Sequence, residues 1–331
     1  MHPFTYQHAD TVELAFQAVG GDASARYLAG GTTLLDLMKL HVETPARLVD
    51  ITRVPTDRID VAADGGAVRI GAMARNTTVA YDKTIAARYP ALCQAILSGA
   101  SPQIRNMATI GGNLLQRTRC PYFRDGVSPC NKRNPGSGCA MAGGFDRTAA
   151  VLGTTERCIA ANPSDMAVAL LALDAVVHTH RNAPAGGRQI PIDEFYLLPR
   201  QAEVETVLEH GELIVSVELP AVKASSKQAY LKLRDRASYE FALASVAAVL
   251  WMSDDGQIEA AQVALGGVGT RPWRNRESER MLAGKKPDSA VFRAFADAAL
   301  TDARPGKYNA FKVELAKRAI EKCLTDLTAN A

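Results

Sequence analysis

Four of the six cysteines in this 331-residue chain, Cys120, Cys130, Cys139 and Cys158, fall within about forty residues in the spacing C-x9-C-x8-C-x18-C. The stretch TRCPYFRDGVSPCNKRNPGSGC, residues 118–139, holds three of them among prolines and glycines, with too few aliphatic side chains to build a core. Thiols gathered on such a loop point to ligation or cross-linking, and three chemistries compete. Structural zinc sites usually draw two ligands from one tight C-x-x-C knuckle, and none is present. Disulfides need an oxidising compartment, of which the chain gives no sign of its own. A [4Fe–4S] cluster takes four thiolates and accepts them from widely spaced loop positions. The other two cysteines read as packing. Cys93 sits in the apolar helical pattern YPALCQAIL, and Cys323 shares a helical face with Phe311, Leu315 and Ala319.

A second group of residues suits an anion. Tyr27, Leu28, Ala29, Gly30, Gly31, Thr32, Thr33 and Leu34 read as a strand end, a Gly-Gly turn and a helix start. Thr109, Ile110, Gly111, Gly112 and Asn113 repeat the theme. Glycines admit backbone N–H groups close to a phosphate, a helix start adds partial positive charge, and threonine hydroxyls donate. Either turn alone reads equally well as a plain tight turn. Neither is a P-loop or a G-x-G-x-x-G dinucleotide fingerprint, which argues against a P-loop NTPase or a Rossmann dehydrogenase.

Positioning these residues takes a mixed fold. The length predicts two or three domains. At 47% hydrophobic and 22% charged, with a formal net charge of +3, the composition is globular and gives no footprint for nucleic acid. No apolar run is long enough for a membrane span, and MHPFTYQHADTVELAFQAVGG lacks the pattern of a secretory signal. Asp10, with Glu13 three positions on, predicts a capped first helix. ARYLAGG, RLVDI and AVRIGAM read as short strands, TTLLDLMKL as a helix and NTTVAYDKTIAARYPALCQAIL as mostly helical. QIRNMATIGGNLL reads as extended chain bending tightly. PSDMAVALLALDAVVHTH reads as a helix capped by Ser164 or Asp165 and running into a strand. QAYLKLRDR, FALASVAAVLWM and IEAAQVALGG read as three strands, the last two joined by a hairpin at SDDG, with helices finishing the chain. The fold class is α+β.

The pairing of YLAGGTTLLDLMK with QIRNMATIGGNL resembles the FAD-binding subunit of the molybdenum hydroxylases, the xanthine dehydrogenase and aldehyde oxidoreductase family. PSDMAVALLALDA, GELIVSVELP and YLKLRDRASYEFALASVA fit in the same order, so the resemblance spans essentially the whole chain. It implies two FAD-binding subdomains of the vanillyl-alcohol-oxidase type, residues 1–60 and 61–222, and a C-terminal three-stranded sheet with helices, residues 223–331. It further implies that residues 27–34 and 109–113 hold the FAD pyrophosphate through amides and hydroxyls. Asp165 would accept hydrogen bonds from the ribityl or adenosine part, and Ile214 and Lys232 would touch the flavin. Residues 117–158 are an insertion that resembles the one in the four-cofactor aldehyde oxidoreductases and in 4-hydroxybenzoyl-CoA reductase. By that resemblance Cys120, Cys130, Cys139 and Cys158 ligate a [4Fe–4S] cluster, with Arg117, Arg119, Arg124, Lys132 and Arg133 offsetting its charge.

Nothing in the chain offers a molybdenum site or a nucleophile–base pair, and the six histidines are scattered. The resemblance therefore implies an electron-transfer subunit of a heterotrimer. A large molybdopterin subunit would oxidise an aldehyde, and a small subunit with two [2Fe–2S] clusters would deliver electrons to this FAD. An oxygen, ferredoxin or quinone acceptor would take them. The alternatives are the β subunit of a hydroxybenzoyl-CoA reductase, a free-standing flavin oxidase of the same fold and a zinc-stapled scaffold. The sequence itself points to the cytoplasm; export of an assembled trimer on a partner's twin-arginine signal would place it in the periplasm.

Overall fold

The computed structural model describes residues 1–181, 186–223 and 225–329. The last two residues of the region expected to run from 223 to 331 lie outside these, as does residue 224. Strands β1 (Thr5–His8), β2 (Ala25–Leu28) and β3 (Arg47–Asp50) form a parallel sheet in the order β1-β3-β2, connected by helices α1 (Val12–Gly20) and α2 (Leu34–Lys39). Thr11, rather than Asp10, caps α1: its backbone is extended and its hydroxyl accepts the Leu14 amide at 3.2 Å.

A second sheet has five antiparallel strands, β4 (Ile59–Val61), β5 (Val68–Gly71), β6 (Val176–His180), β7 (Gln189–Pro191) and β8 (Leu213–Leu219), in the order β4-β5-β8-β6-β7. Between β5 and β6 run α3 (Asn76–Tyr81), α4 (Lys83–Arg88), α5 (Pro90–Ser98), α6 (Pro102–Met107) and α7 (Ile110–Leu114). The cysteine insertion follows with two one-turn helices, α8 (Pro121–Arg124) and α9 (Ala140–Gly143), and then α10 (Asp165–Ala172). After β7 comes α11 (Ile192–Phe195). The stretch expected to be extended, QIRNMATIGGNLL, is instead the helices α6 and α7. Ser101 and Pro102 start α6, and the Thr109 hydroxyl caps α7 by accepting the Gly112 amide at 3.1 Å. Two glycines cost a helix about 1 kcal/mol each; burial of Ile110 and Leu114, one turn apart, offsets that.

The third sheet contains the three expected strands, β9 (Lys227–Leu233), β10 (Ala244–Met252) and β11 (Ile258–Gly266), with the turn at residues 253–256. It also holds a fourth, β12 (Trp273–Arg274), giving β12-β11-β10-β9 rather than three strands. A two-residue pairing is too short to leave an alternating pattern in sequence. Helices α12 (Arg276–Glu279), α13 (Ser289–Ala299) and α14 (Phe311–Ala329) complete the chain.

Strand β10 explains why FALASVAAVLWM is a continuous apolar run. Val246, Ala248 and Leu250 face the core shared with α13 and α14, while Ala247 and Val249 face the core shared with α5 and α10. Burial on both faces removes the polar alternation that a half-exposed strand keeps. Each such Val or Leu contributes about 1.5–3 kcal/mol. All eight residues of α10 are buried between the sheets, so its position is tightly fixed. Cys93 and Cys323 lie in these two cores as expected. Among the described residues no helix is long and apolar enough to cross a membrane.

Candidate functional site

The turn after β2 is built from backbone. A Cβ on Gly30 would lie 2.0 Å from the Met107 carbonyl oxygen, so only glycine lets this turn meet the 107–112 segment. Gly31 adopts φ +71°, in the left-handed region. Among the described residues, the amides of Gly30, Gly31, Thr32, Thr33 and Leu34 meet no acceptor. Five consecutive unpaired donors entering α2 make a concavity suited to an anion.

The second turn differs from expectation. Its amides are already used: Ile110 donates to Ala74 O at 3.0 Å, Gly111 to Ala72 O at 2.8 Å, and Asn113 to Thr109 O at 2.8 Å. With the Gly112 amide on Thr109 Oγ1, residues 110–113 offer no free backbone donor, because they form a capped helical turn. What this turn adds is packing of Gly111 against Ala72 and the polar side chains of Thr109 and Asn113.

Two cavities of about 400 and 500 Å³ meet at Thr32, Thr33, Gly112, Gln116 and Pro163. Together they form a cleft large enough for a dinucleotide-sized ligand. The first is lined by Tyr27, Ala29, Gly30, Gly31, Leu34, Thr109, Gly111 and Ile214. The second is lined by Asn113, Asp165 and Lys232. Leu28 and Ile110 line neither: Leu28 O accepts the Ile51 amide, and Ile110 is in the core. Ile214 and Lys232, expected at one flavin, line different cavities, Ile214 the first and Lys232 the second. One lining residue went unsuspected. Asn76 is 4% exposed, and its Oδ1 is buried without a partner among the described residues, beside the second cavity. A buried amide oxygen left unpaired is costly and marks a place for a ligand group.

Asp165 does not cap its helix. Ser164 does, accepting the Ala167 amide at 3.0 Å. The Asp165 carboxylate instead accepts from Tyr230 Oη at 2.5 Å and from Lys232 Nζ at 2.7 Å. Lys232 also donates to Ser98 O at 3.1 Å. The two ion-paired side chains are 3% and 9% exposed, so the pair replaces the solvated lysine that its isolated position in a strand suggests. Tyr230 and Lys232 are two apart on β9 and share a face. Burial, reinforced by the carboxylate, pushes the Tyr230 phenol well above its usual range.

The four clustered cysteines line one narrow void with Phe123, Met141 and Asn131. Cys130 and Cys139 face each other in an isolated antiparallel bridge. Burial pushes the Cys120 thiol up to about 12 and raises that of Cys158. Cys120 Sγ is 3.6 Å from Met141 Sδ. Among the described residues, no three His, Cys, Asp or Glu side chains converge as ligands of one metal ion. The basic residues of the loop are anchors rather than solvated charges. Arg119 and Arg124 hold Asp36 of α2 at 3.2 and 2.7 Å, Lys132 holds Glu205 at 2.7 Å, and Arg117 bridges Glu43 and Glu205. Arg133 donates to the carbonyls of Tyr122 and Phe123. Thr118, Lys132, Cys158 and Ala160 line both this void and the first cavity, so the two spaces share a wall.

Comparison with known proteins gives a consistent result. Residues 2–222 match the FAD binding domain in molybdopterin dehydrogenase, and residues 228–327 match the CO dehydrogenase flavoprotein C-terminal domain. The chain is 46% identical over 333 aligned positions to the aldehyde oxidoreductase FAD-binding subunit PaoB of Escherichia coli, covering all of both chains. It is 28% identical to the carbon monoxide dehydrogenase medium chain of Hydrogenophaga pseudoflava, over 92% of this chain and 88% of that one. A solved carbon monoxide dehydrogenase from Hydrogenophaga pseudoflava superposes with a TM-score of 0.77 at 26% identity, covering 100% of this chain and 99% of the other.

Proposed function

The chain belongs to the FAD-binding medium subunits of the molybdenum hydroxylases, and on that premise we propose that it is the FAD- and [4Fe–4S]-carrying electron-transfer subunit of a heterotrimeric aldehyde oxidoreductase. The observation that carries this reading is the shared wall. A cleft with a row of unpaired amides and a void ringed by four thiols meet at Cys158, Lys132, Thr118 and Ala160. The choice of aldehyde as substrate class rests on the full-length likeness to an aldehyde oxidoreductase subunit.

In this reading the amides of Gly30 to Leu34 and the hydroxyls of Thr32 and Thr33 hold the pyrophosphate, while the Thr109 hydroxyl caps α7. Asn113 and Asn76 supply side-chain amides. Ile214 would give the cofactor an apolar wall in the first cavity, and the Asp165–Lys232 pair a charged wall in the second. FAD, when bound, supplies the exchange of electrons; the chain orients it and screens it from water. Cys120, Cys130, Cys139 and Cys158 would ligate the cluster. Four irons take one thiolate each, which asks for sulfurs spread around a cage rather than converging on a point. Burial disfavours the thiolates of Cys120 and Cys158, and a metal centre would supply the charge that stabilises them. Partners would be a small [2Fe–2S] subunit and a large molybdopterin subunit, and electrons would leave FAD for an external acceptor. The division at residues 60 and 222 belongs to the same proposal.

Metal and flavin analysis of the purified complex, with EPR of its reduced form, tests this. The expected result is one FAD and four extra irons per medium subunit, and loss of those irons with retention of FAD in Cys158→Ser. Stoichiometric zinc, or iron only at the level of two [2Fe–2S] clusters, would remove the cluster. Turnover of an aromatic acyl thioester in place of aldehydes would remove the substrate class.

A further inference from the structure

Lys312 is the most unusual charge in the molecule. It opens α14, is 0% exposed and has no ion-pair partner among the described residues; its ammonium donates to the carbonyls of Ala149 at 2.7 Å and Gly267 at 2.6 Å. A buried lysine without an anion costs several kcal/mol unless its hydrogen bonds are well made. The redox chemistry makes no use of it, but its acceptor Ala149 lies within the cysteine insertion.

The neighbours of Lys312 act on the same short segment. Asp146, 3% exposed, accepts the amides of Lys307 at 3.0 Å and Tyr308 at 2.7 Å. Asn309, 1% exposed, donates to the carbonyls of Ala149 and Ala150 at 3.4 and 3.3 Å. The Arg304 amide donates to Val151 O at 2.6 Å. Outside these bonds, Phe145 packs on Tyr308 at 5.1 Å between ring centroids, and Arg147 sits 5.0 Å over the Phe311 ring. From this segment one bond leads directly to the pocket: Ala150 donates to Ile159 O at 2.8 Å, next to Cys158.

We propose that residues 304–312 form a clasp on residues 146–151 of the insertion, and that Lys312 is its central positioning residue, setting where Cys158 stands relative to the other three thiols. Between Cys139 and Cys158 the chain has 18 residues and little regular structure, and apart from Met141 its buried apolar anchors, Ala149 to Leu152, gather at the stretch that Lys312, Asn309 and Arg304 bond. Without a hold at its middle, the fourth thiol would sample many positions, and the entropy of ordering it would fall on cluster binding. The clasp settles that cost during folding. It gives the C-terminal region a task beyond supporting the cleft: retention of the cluster. This rests on the cluster reading above.

The test uses the assembled complex carrying Lys312→Met, which keeps the volume of the side chain and removes its donors. Extra iron per FAD, beyond the partner clusters, is expected to fall several-fold while FAD per chain stays at the wild-type level. Asn309→Ala, a milder change, is expected to lower the same ratio less. If wild type carries the extra iron and both variants carry as much per FAD, the clasp is wrong. If wild type carries none, the cluster reading fails instead. The clasp is then decided by maleimide labelling of the full-length chain: Cys158 must react faster in Lys312→Met than in wild type, and equal rates overturn it.

Discussion

The cleft and the cysteine pocket share a wall, yet they are made by opposite means. The cleft is a backbone construction: unpaired amides, a left-handed glycine and a turn seated on the Met107 carbonyl, all held by strands and helices. The pocket is a side-chain construction on a loop, kept in place by ion pairs to α2 and to Glu205 and by the clasp from the C-terminal region. The backbone site is insensitive to most substitutions and destroyed by the few that add bulk at Gly30; the side-chain site depends on each thiol outright and on its anchors by degrees. The difference teaches where each part of the molecule is vulnerable.

The sharpest way to break this contrast is Gly30→Val. Its side chain would collide with a backbone carbonyl that cannot rotate away, so a loss of about 5 kcal/mol or more and a chain purified without flavin are expected. Flavin content and thermal unfolding check it; a flavin-replete, stable variant would mean the turn is not rigid. Lys232→Met comes next. It strands the Asp165 carboxylate with Tyr230 alone in a buried site, at about 3–5 kcal/mol, and adding Asp165→Asn should restore most of that. Denaturant titrations of Lys232→Met, Asp165→Asn and the double variant measure the coupling, and additive losses would deny the pair.

On the pocket's side, pH is the lever. Burial lowers the Lys312 pKa to about 7, while an unfolded chain keeps that proton to about pH 10.4. Between those values unfolding takes up a proton, so the folded state gains stability as pH rises, by at most about 1.4 kcal/mol per pH unit. Below pH 7 the cost of the charged form is fully present. Unfolding titrations at pH 7 and pH 9 should show this slope in wild type and lose it in Lys312→Met. The smallest effect is expected from Thr109→Ala. It removes the α7 cap for about 1 kcal/mol, and flavin affinity should weaken only slightly, because the amides of this turn are already paired. A large loss of flavin would show that the Thr109 hydroxyl itself holds the cofactor.

The sequence made local features legible and left distant ones hidden. The Gly30–Gly31 turn and the strand β10 were visible, but that Gly30 must sit against a backbone carbonyl and that β10 is buried on both faces came only with the fold. The α7 turn was misread because paired glycines usually break helices, and the cap at Thr109 outweighed them. The sequence offered Ser164 or Asp165 as the cap; Ser164 holds the helix, and the lysine partner of Asp165 lies 67 residues away. The basic residues of the insertion were expected to offset cluster charge, and their ion pairs stayed hidden because the acidic partners, Asp36 and Glu205, come from other segments. Asn76 carried no signal at all, since only its unpaired oxygen marks it.

The order of strands in the second sheet has a consequence for synthesis. β5, at residues 68–71, pairs with β8, at residues 213–219, so its partner leaves the ribosome roughly 150 residues later. At about 5–20 residues per second that is a delay of roughly 10–30 s. All four clustered cysteines emerge during this interval, on a nascent chain whose central sheet cannot yet close. The clasp at 304–312 arrives later still. The thiols are thus open to loading factors, oxidants and stray metal well before the walls that bury them exist, and the last tenth of the chain ends that window.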